Sequence, residues 1–342
     1  MESTYLRIRG QAGRAIPFPP PLPSPKHTGR LSRKQQAYLL LWRGLHRLYP
    51  ATLGRIYRSP RPIFLIGCHN SGTTILANLI GQHPQIVNWS EAPEVWTPDD
   101  AFLNWSVMPT PPLPVPFLFD LTAYQRTPEQ HGHFIPAIRN AFSLFALTRL
   151  KGRFLNKNPH ISISIPYIEA AFPDARYVFI RRNGYAVVQS LLSNWRPVLK
   201  ELQTPTQASP WANLRQRLDP AYFDDPLQLV RQCARYWQTL DDWAWRDLQA
   251  LSDQKRVYYT TYEAICESPE AILRQIFRQH GLEEKRFEWA QLHQPTRYPW
   301  TEMLPMENRN YKVWERLSQA EIEAITTEAD TALARWGYLP AT

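Results

Sequence analysis

The sequence predicts an alternating α/β fold, a mainly parallel sheet with helices on both faces and helical and loop insertions over it. Two observations predict it. Short apolar runs bounded by turn residues recur between stretches of helical periodicity, which is the pattern of strands joined by crossover helices. The first run, Pro62-Ile63-Phe64-Leu65-Ile66, passes into the glycine-bounded loop GCHNSGTT, Gly67 to Thr74, and then into ILANLIGQHP. That is strand, loop, helix, with Ile75, Leu76, Leu79 and Ile80 at helical spacing and a stop near Gly81 and Pro84.

The other elements follow in order. Residues 1–30 carry PFPPPLPSP and read as an extended, polyproline-like arm. Residues 31–60 contain the basic amphipathic stretch 33–49, expected as a helix packing on the main domain, with contact to a membrane surface as the alternative. Residues 61–342 form the expected main domain. Gln85-Ile86-Val87-Asn88-Trp89 is a strand candidate, Ile138–Leu150 a helix, and Arg153–Leu155 a short strand leading into Asn156-Lys157-Asn158-Pro159. A helix over Ile165–Phe172, the turn Pro173-Asp174, the buried strand Arg176–Ile180 and a helix over Gly184–Asn194 come next. Residues 195–226, rich in Pro, Gln and Asp, read as loop or cap. Leu229–Leu251 is a long helix with Leu229, Cys233, Tyr236, Leu240 and Trp243 on one stripe. Arg256–Thr260 is a strand, and Pro269–His280 and Ser318–Trp336 are helices.

Composition narrows the classes. The chain has 342 residues, enough for one elaborated α/β domain. Proline is abundant at 32 residues, against a usual share of about 5%, so much of the chain is ordered loop. The formal net charge of +9 suggests an anionic partner. The basic residues are scattered and no nucleic-acid-binding motif is present. Cys68, Cys233 and Cys266 lack metal-type spacing, which speaks against a zinc site or a disulfide framework. The N-terminal MESTYLRIRGQ lacks the apolar core of a signal peptide, and no run reaches the roughly 18 apolar residues of a membrane span. The expectation is a reduced, soluble, cytoplasmic protein.

In such a sheet ligands bind at the carboxyl ends of the strands. That places Gly67–Thr74, Lys157 and Arg181-Arg182 on one edge. GCHNSGTT fits the P-loop pattern except that Thr73 stands where a nucleoside triphosphatase carries lysine. Gly67 and Gly72 let several N–H groups point at one anion, at the positive end of the following helix. Ser71, Thr73 and Thr74 add hydroxyl groups. The strand over 176–180 ends in Arg181-Arg182, with no aspartate for Mg²⁺. Cations without a carboxylate suit a metal-free nucleotide with separate anionic groups. A bare strand–helix turn is the competing reading of the loop taken alone.

RYVFIRRNGYAVVQS puts Arg182 at a strand end and Ser190 eight residues on, within the next helix. Together the two loops resemble the nucleotide-binding motifs of the sulfotransferases that use 3′-phosphoadenylyl sulfate (PAPS). The resemblance runs from about Ile63 to Trp336 and is nearest the branch containing protein-tyrosine sulfotransferases and bacterial relatives. It implies a P-loop-type fold, with the first loop on the 5′-phosphosulfate and Arg182 and Ser190 on the 3′-phosphate. It implies Glu91, 21 residues past Asn70, as catalytic base, with Glu94 as substitute, and Lys157 as the group stabilising the leaving oxygen. His69, Asn70, Tyr262 near the adenine, and Lys312 in the closing segment Asn308–Lys312 complete the implied nucleotide site. No metal is implied, and the partners are the nucleotide and an acceptor hydroxyl or amine.

One departure stands out. The family normally has Arg or Lys where this chain has Asn70, and a protonated His69 or Lys157 would have to supply the charge. Asn158 and Asn183 each stand for a common Asp, the latter in a structural position. Two other readings stay open: a PAPS-binding protein with weak or no catalysis, and a P-loop kinase or nucleoside triphosphatase. Aromatic-rich 102–119 and 195–223 are expected to line or cover the acceptor site.

Overall fold

A computed structural model of the chain describes residues 58–96, 118–203, 215, 218–251, 253–293 and 307–339. The arm at 1–30, the amphipathic stretch at 33–49, most of 102–119 and most of 204–217 lie outside the described residues.

Five strands form one sheet in the order β2-β3-β1-β4-β5, every pairing parallel. They are β1 (Ile63–Ile66), β2 (Ile86–Ser90), β3 (Arg153–Lys157), β4 (Arg176–Arg181) and β5 (Val257–Thr261). The central strand β1 is wholly buried, and its side chains divide by the two-residue period of a strand. Ile63 and Leu65 enter a core with Leu76, Ile80, Val178, Ile180, Ile276 and Phe277 on one face. Phe64 and Ile66 enter a core with Phe142, Phe154, Tyr167, Tyr177 and Phe179 on the other. A sheet buried on both faces explains the unbroken apolar runs.

The first face is covered by α1 (Thr73–Gly81), α6 (Tyr262–Glu267) and α7 (Pro269–His280), the second by α2 (Ile135–Thr148) and α3 (Ile165–Ala171). A third core joins α4 (Gly184–Gln203), α5 (Gln228–Gln249), α8 (Gln319–Glu328) and α9 (Asp330–Arg335). Tyr185, Leu192, Trp237, Leu240 and Leu333 are buried there. This is the helical elaboration of the P-loop-type α/β fold.

Three of the boundaries that differ from the sequence reading have a cause visible in the structure. Strand β3 runs on through Asn156 and Lys157, because both pair in register with Phe64 and Leu65 of β1. Helix α4 continues through Pro197 to Gln203. Proline costs one helical hydrogen bond, and burial of Leu199 and Leu202 in the third core outweighs it. The final helix is broken at Ala329, where Asp330 Oδ1 accepts from the Thr331 N–H at 2.5 Å and competes with the helical ladder.

Candidate active site

The carboxyl ends of all five strands lie on one edge, and each is followed by a residue the sequence singled out: Gly67, Glu91, Lys157 (itself the last of β3), Arg182 and Tyr262.

The loop between β1 and α1 is shaped by close approach. A Cβ on Gly67 would lie 2.5 Å from the Ile180 carbonyl oxygen, so only glycine lets β1 leave the sheet beside β4. Gly67 also exchanges hydrogen bonds with the buried Ser162 hydroxyl, 3.1 Å from its N–H and 3.2 Å from its C=O. Gly72 has φ +86° and sits against the Tyr262 ring, whose Cδ2 is 2.6 Å from where a Cβ would be. Asn70 has φ +63°. The left-handed region strains most side chains and admits asparagine more readily than arginine or lysine. Asparagine is thus compatible with the backbone at this position. Buried Ser71 Oγ and Asn70 Nδ2 have no hydrogen-bond partner among the described residues. Ser71 and Thr73 are buried, and Thr74 is half-buried.

Lys157 and Glu91 meet across the β2–β3 pairing. Ser90 is in register with Lys157, and the Glu91 N–H donates to the Lys157 carbonyl at 2.5 Å. Asn158 Nδ2 donates to the Glu91 carbonyl at 2.9 Å while its Oδ1 accepts from the His160 N–H at 3.0 Å. Aspartate could not serve both, which accounts for asparagine here. Lys157 Nζ lies 2.6 Å from Glu91 Oε1; the lysine side chain is 3% exposed and the glutamate 56%. Glu91 and Ala92 have φ +63° and +45°. Two successive non-glycine residues in that region store strain of the order of 1–3 kcal/mol each, a feature that clusters at functional sites. Glu94 falls in the single helical turn Pro93–Trp96.

Beside this pair stand two imidazoles. The rings of His69 and His160 are 5.0 Å apart, and His69 Nδ1 is in a short hydrogen bond with the buried Tyr236 hydroxyl. Burial, then the neighbouring His160 and Lys157, hold His69 well below the ordinary histidine range. Burial chiefly pushes His160 down to about 4. His69 is therefore neutral near pH 7 and supplies no charge in place of Asn70.

At the other end, Arg182 Nε donates to Asn310 Oδ1 at 2.9 Å and Nη1 to the Asn70 carbonyl at 2.8 Å. Its guanidinium lies 4.3 Å over the Tyr262 ring, a cation–π contact. The Tyr262 hydroxyl donates to the Glu307 carbonyl at 2.8 Å. Asn183 Oδ1 accepts from the N–H groups of Tyr185 and Ala186 at 3.0 and 3.4 Å, an N-cap that fits its structural reading. The side chain of half-buried Ser190 makes no hydrogen bond among the described residues, and Lys312 Nζ sits 5.6 Å over its neighbour Tyr311.

The fold thus gathers Glu91 with Lys157, and Arg182 with Asn70, Gly72 and Tyr262. Lys312 makes no contact with Arg182; Asn310, two residues earlier, does. Asn310, Glu263, Tyr236 and His160 were not singled out from sequence. Asn310 lay within the closing segment and His160 one residue past Asn156–Pro159, but no spacing marked the others. The unpartnered donors of Ser71 and Asn70 and the glycine-tight loop fit an anionic group at this edge.

A parallel sheet with a glycine-bounded loop after β1 and cationic residues at neighbouring strand ends defines a P-loop-type α/β protein. The chain belongs to the sulfotransferase family, whose model matches residues 62–286. It is similar to nodulation protein NoeE of Sinorhizobium fredii, 27% identical over 180 residues, 46% of this chain and 38% of that protein. It is also similar to protein-tyrosine sulfotransferase A of Caenorhabditis elegans, 27% identical over 144 residues, 38% of this chain and 33% of that one. The chain thus matches well under half the length of either relative. The crystal structure of sulfotransferase STF9 from Mycobacterium avium shares the fold, with TM-score 0.52 and 16% identity over 85% of this chain and 81% of that one. Among the described residues no helix is long and apolar enough to cross a membrane.

Proposed function

We propose that the chain transfers a sulfuryl group from PAPS to an acceptor hydroxyl or amine. The observation that carries this is the Lys157–Glu91 pair, 2.6 Å apart, held in place by sheet register beside the phosphate loop. PAPS, when bound, supplies an electrophilic sulfur and an anionic leaving group. Glu91 Oε1 is taken by Lys157, and the exposed carboxylate's Oε2 is the atom that accepts the acceptor's proton. Lys157 keeps two further N–H bonds, and these stabilise negative charge on the departing oxygen. Ser71, Thr73, Thr74 and the loop N–H groups hold the 5′ anion, with His69 and Asn70 as neutral donors. Arg182 and Ser190 hold the 3′-phosphate, Tyr262 lies near the adenine, and Lys312 serves closure of the segment behind it. A cytoplasmic location and a site needing no metal belong to the same reading.

A second reading is PAPS binding with weak catalysis, motivated by Asn70. The intact Lys157–Glu91 pair favours the first, since a protein that only binds the nucleotide needs no base beside a leaving-group cation. A kinase or nucleoside triphosphatase is disfavoured by Arg181-Arg182 at the end of β4. Calorimetry with adenosine 3′,5′-bisphosphate and AMP tests the reading. The bisphosphate binds at least tenfold tighter, and Arg182→Ala removes that difference, as expected for a charge-assisted hydrogen bond. Equal affinities in the unaltered protein reject the 3′-phosphate assignment.

A further inference from the structure

We propose that Glu263 is a positioning residue for the nucleotide end of the site, fixing the orientation of Arg182 through the side-chain amide of Asn310. The proposal rests on the reading of Arg182 as the anion-binding residue.

Glu263 is the second residue of α6, which starts directly after β5 with Thr261 as its N-cap. That position brings its carboxylate to the strand-end edge. Glu263 Oε1 accepts from the Asn183 N–H at 3.0 Å and from Asn310 Nδ2 in a short hydrogen bond, and Oε2 accepts from the Tyr338 hydroxyl at 3.3 Å. It makes no ion pair among the described residues. Every hydrogen bond it accepts among the described residues comes from a neutral donor, one in each of three separate segments, and Arg182 acts on it only through space.

An ionised carboxylate only accepts hydrogen bonds. Facing Glu263, the Asn310 amide must present Nδ2, and this turns its Oδ1 toward Arg182 Nε, the observed 2.9 Å contact. The Asn70 carbonyl takes Nη1, and Tyr262 takes one face of the guanidinium. Two edges and a face are then fixed, and the remaining N–H groups, those of Nη2 included, have no acceptor among the described residues. A planar fork held in this way recognises a phosphate in two-point fashion without first being ordered. The same contacts tie the phosphate loop, through the Asn70 carbonyl, to the segment around Asn310.

Glu263→Gln breaks the enforcement, because a neutral amide can offer either an oxygen or an NH₂ to Asn310. Isothermal titration of the full chain with adenosine 3′,5′-bisphosphate and with AMP reads the effect. The bisphosphate weakens by about tenfold, the value of one well-oriented charge-assisted hydrogen bond, and AMP by less than twofold. In turnover, KM for the sulfuryl donor rises while kcat is retained. Asn310→Ala gives the same selective loss and stands in if Glu263→Gln fails to fold. Tyr338→Phe removes a donor from the same carboxylate without touching Asn310; it lowers the melting temperature but leaves the ratio of the two affinities intact. Equal weakening of both nucleotides in Glu263→Gln and Asn310→Ala, or a ratio unchanged in both, overturns the proposal. Arg182→Ala separates the two levels. If it abolishes the preference for the bisphosphate while the other two variants keep it, the positioning role alone fails. If it leaves the preference intact, the reading of Arg182 fails and the positioning role with it.

Discussion

At the nucleotide end of the strand edge, Arg182 is gripped by Asn310, the Asn70 carbonyl and the Tyr262 ring, and Glu263 behind them is saturated with donors. At the transfer end, Ser71 Oγ and Asn70 Nδ2 are buried without partners among the described residues, Glu91 is more than half exposed, and three non-glycine residues, Asn70, Glu91 and Ala92, have left-handed backbones. The first end is ordered around a permanent network. The second keeps unspent donors and strained backbone where charge has to move. Binding of a fixed group rewards preorganisation, whereas chemistry needs groups whose hydrogen bonds change during the reaction.

The largest effect that could break this contrast is at Lys157. Lys157→Met keeps the stem packed and removes the cation; turnover is expected to fall by about 10³-fold, in line with loss of one donor to a developing anion. A fall of less than tenfold, measured with a labelled donor under saturating conditions, would move the leaving-group role elsewhere. Next comes Glu91→Gln, which retains shape and loses the base. Turnover drops about 10²-fold, with bisphosphate affinity by calorimetry retained. Activity like that of the unaltered protein would pass the role to Glu94 or beyond.

Asn70 sharpens the comparison more gently. With φ at +63°, Asn70→Gly should leave the melting temperature within a few degrees. Asn70→Arg carries a backbone cost of about 1 kcal/mol and sets a second cation beside Lys157, so both donor affinity and turnover decline. A gain in both for the arginine variant would mark this protein as a weakened enzyme.

The smallest effect is on stability against pH. Burial keeps His160 at about 4 and His280 at about 3 in the folded chain, below the ordinary 6.5, and lowers His69 and His83 as well. Between pH 6.5 and about 4 the unfolded chain binds the protons of His160 and His280 and the folded chain does not, and the lowered His69 and His83 act in the same direction, so stability is fully present above pH 6.5 and is lost on acidification. Asp241 opposes this. Burial raises it to about 6, and its own contribution falls as pH rises from about 4 to 6. The histidines outnumber it, and urea melts at pH 7 and pH 5 should show lower stability at pH 5. His280→Asn should shrink the difference, because burial, with Arg153 and Arg176 close by, is what holds His280 low. An unchanged difference would show that His280 titrates normally.

Much of this edge was legible in the sequence. Apolar runs of four to six residues mark buried parallel strands because each residue faces one of two packed cores, as Phe64 and Leu65 do from opposite sides of β1. Gly67 and Gly72 were legible for the same reason: both stand where no Cβ fits. Residues such as Asn310 and Tyr236 were not. They reach Arg182 and His69 from 128 and 167 positions away, and no local period encodes such a contact. Pro197 and Ala329 misled in opposite directions, since packing carried a helix through the first and a side-chain hydrogen bond broke one at the second.

The sequence by itself determined the alternation of strand and helix, the loop after β1 and the strand-end positions of Lys157 and Arg182. These follow from periodicity, from the steric freedom of glycine and from the parallel-sheet rule, all readable along the chain. Tertiary structure alone decided the partners. The β2–β3 register brought Glu91 to Lys157, burial beside His160 and Lys157 keeps His69 neutral, and the loop turned the Asn70 carbonyl toward Arg182. Each depends on distances between segments remote in sequence, and burial and Coulomb interaction act through those distances.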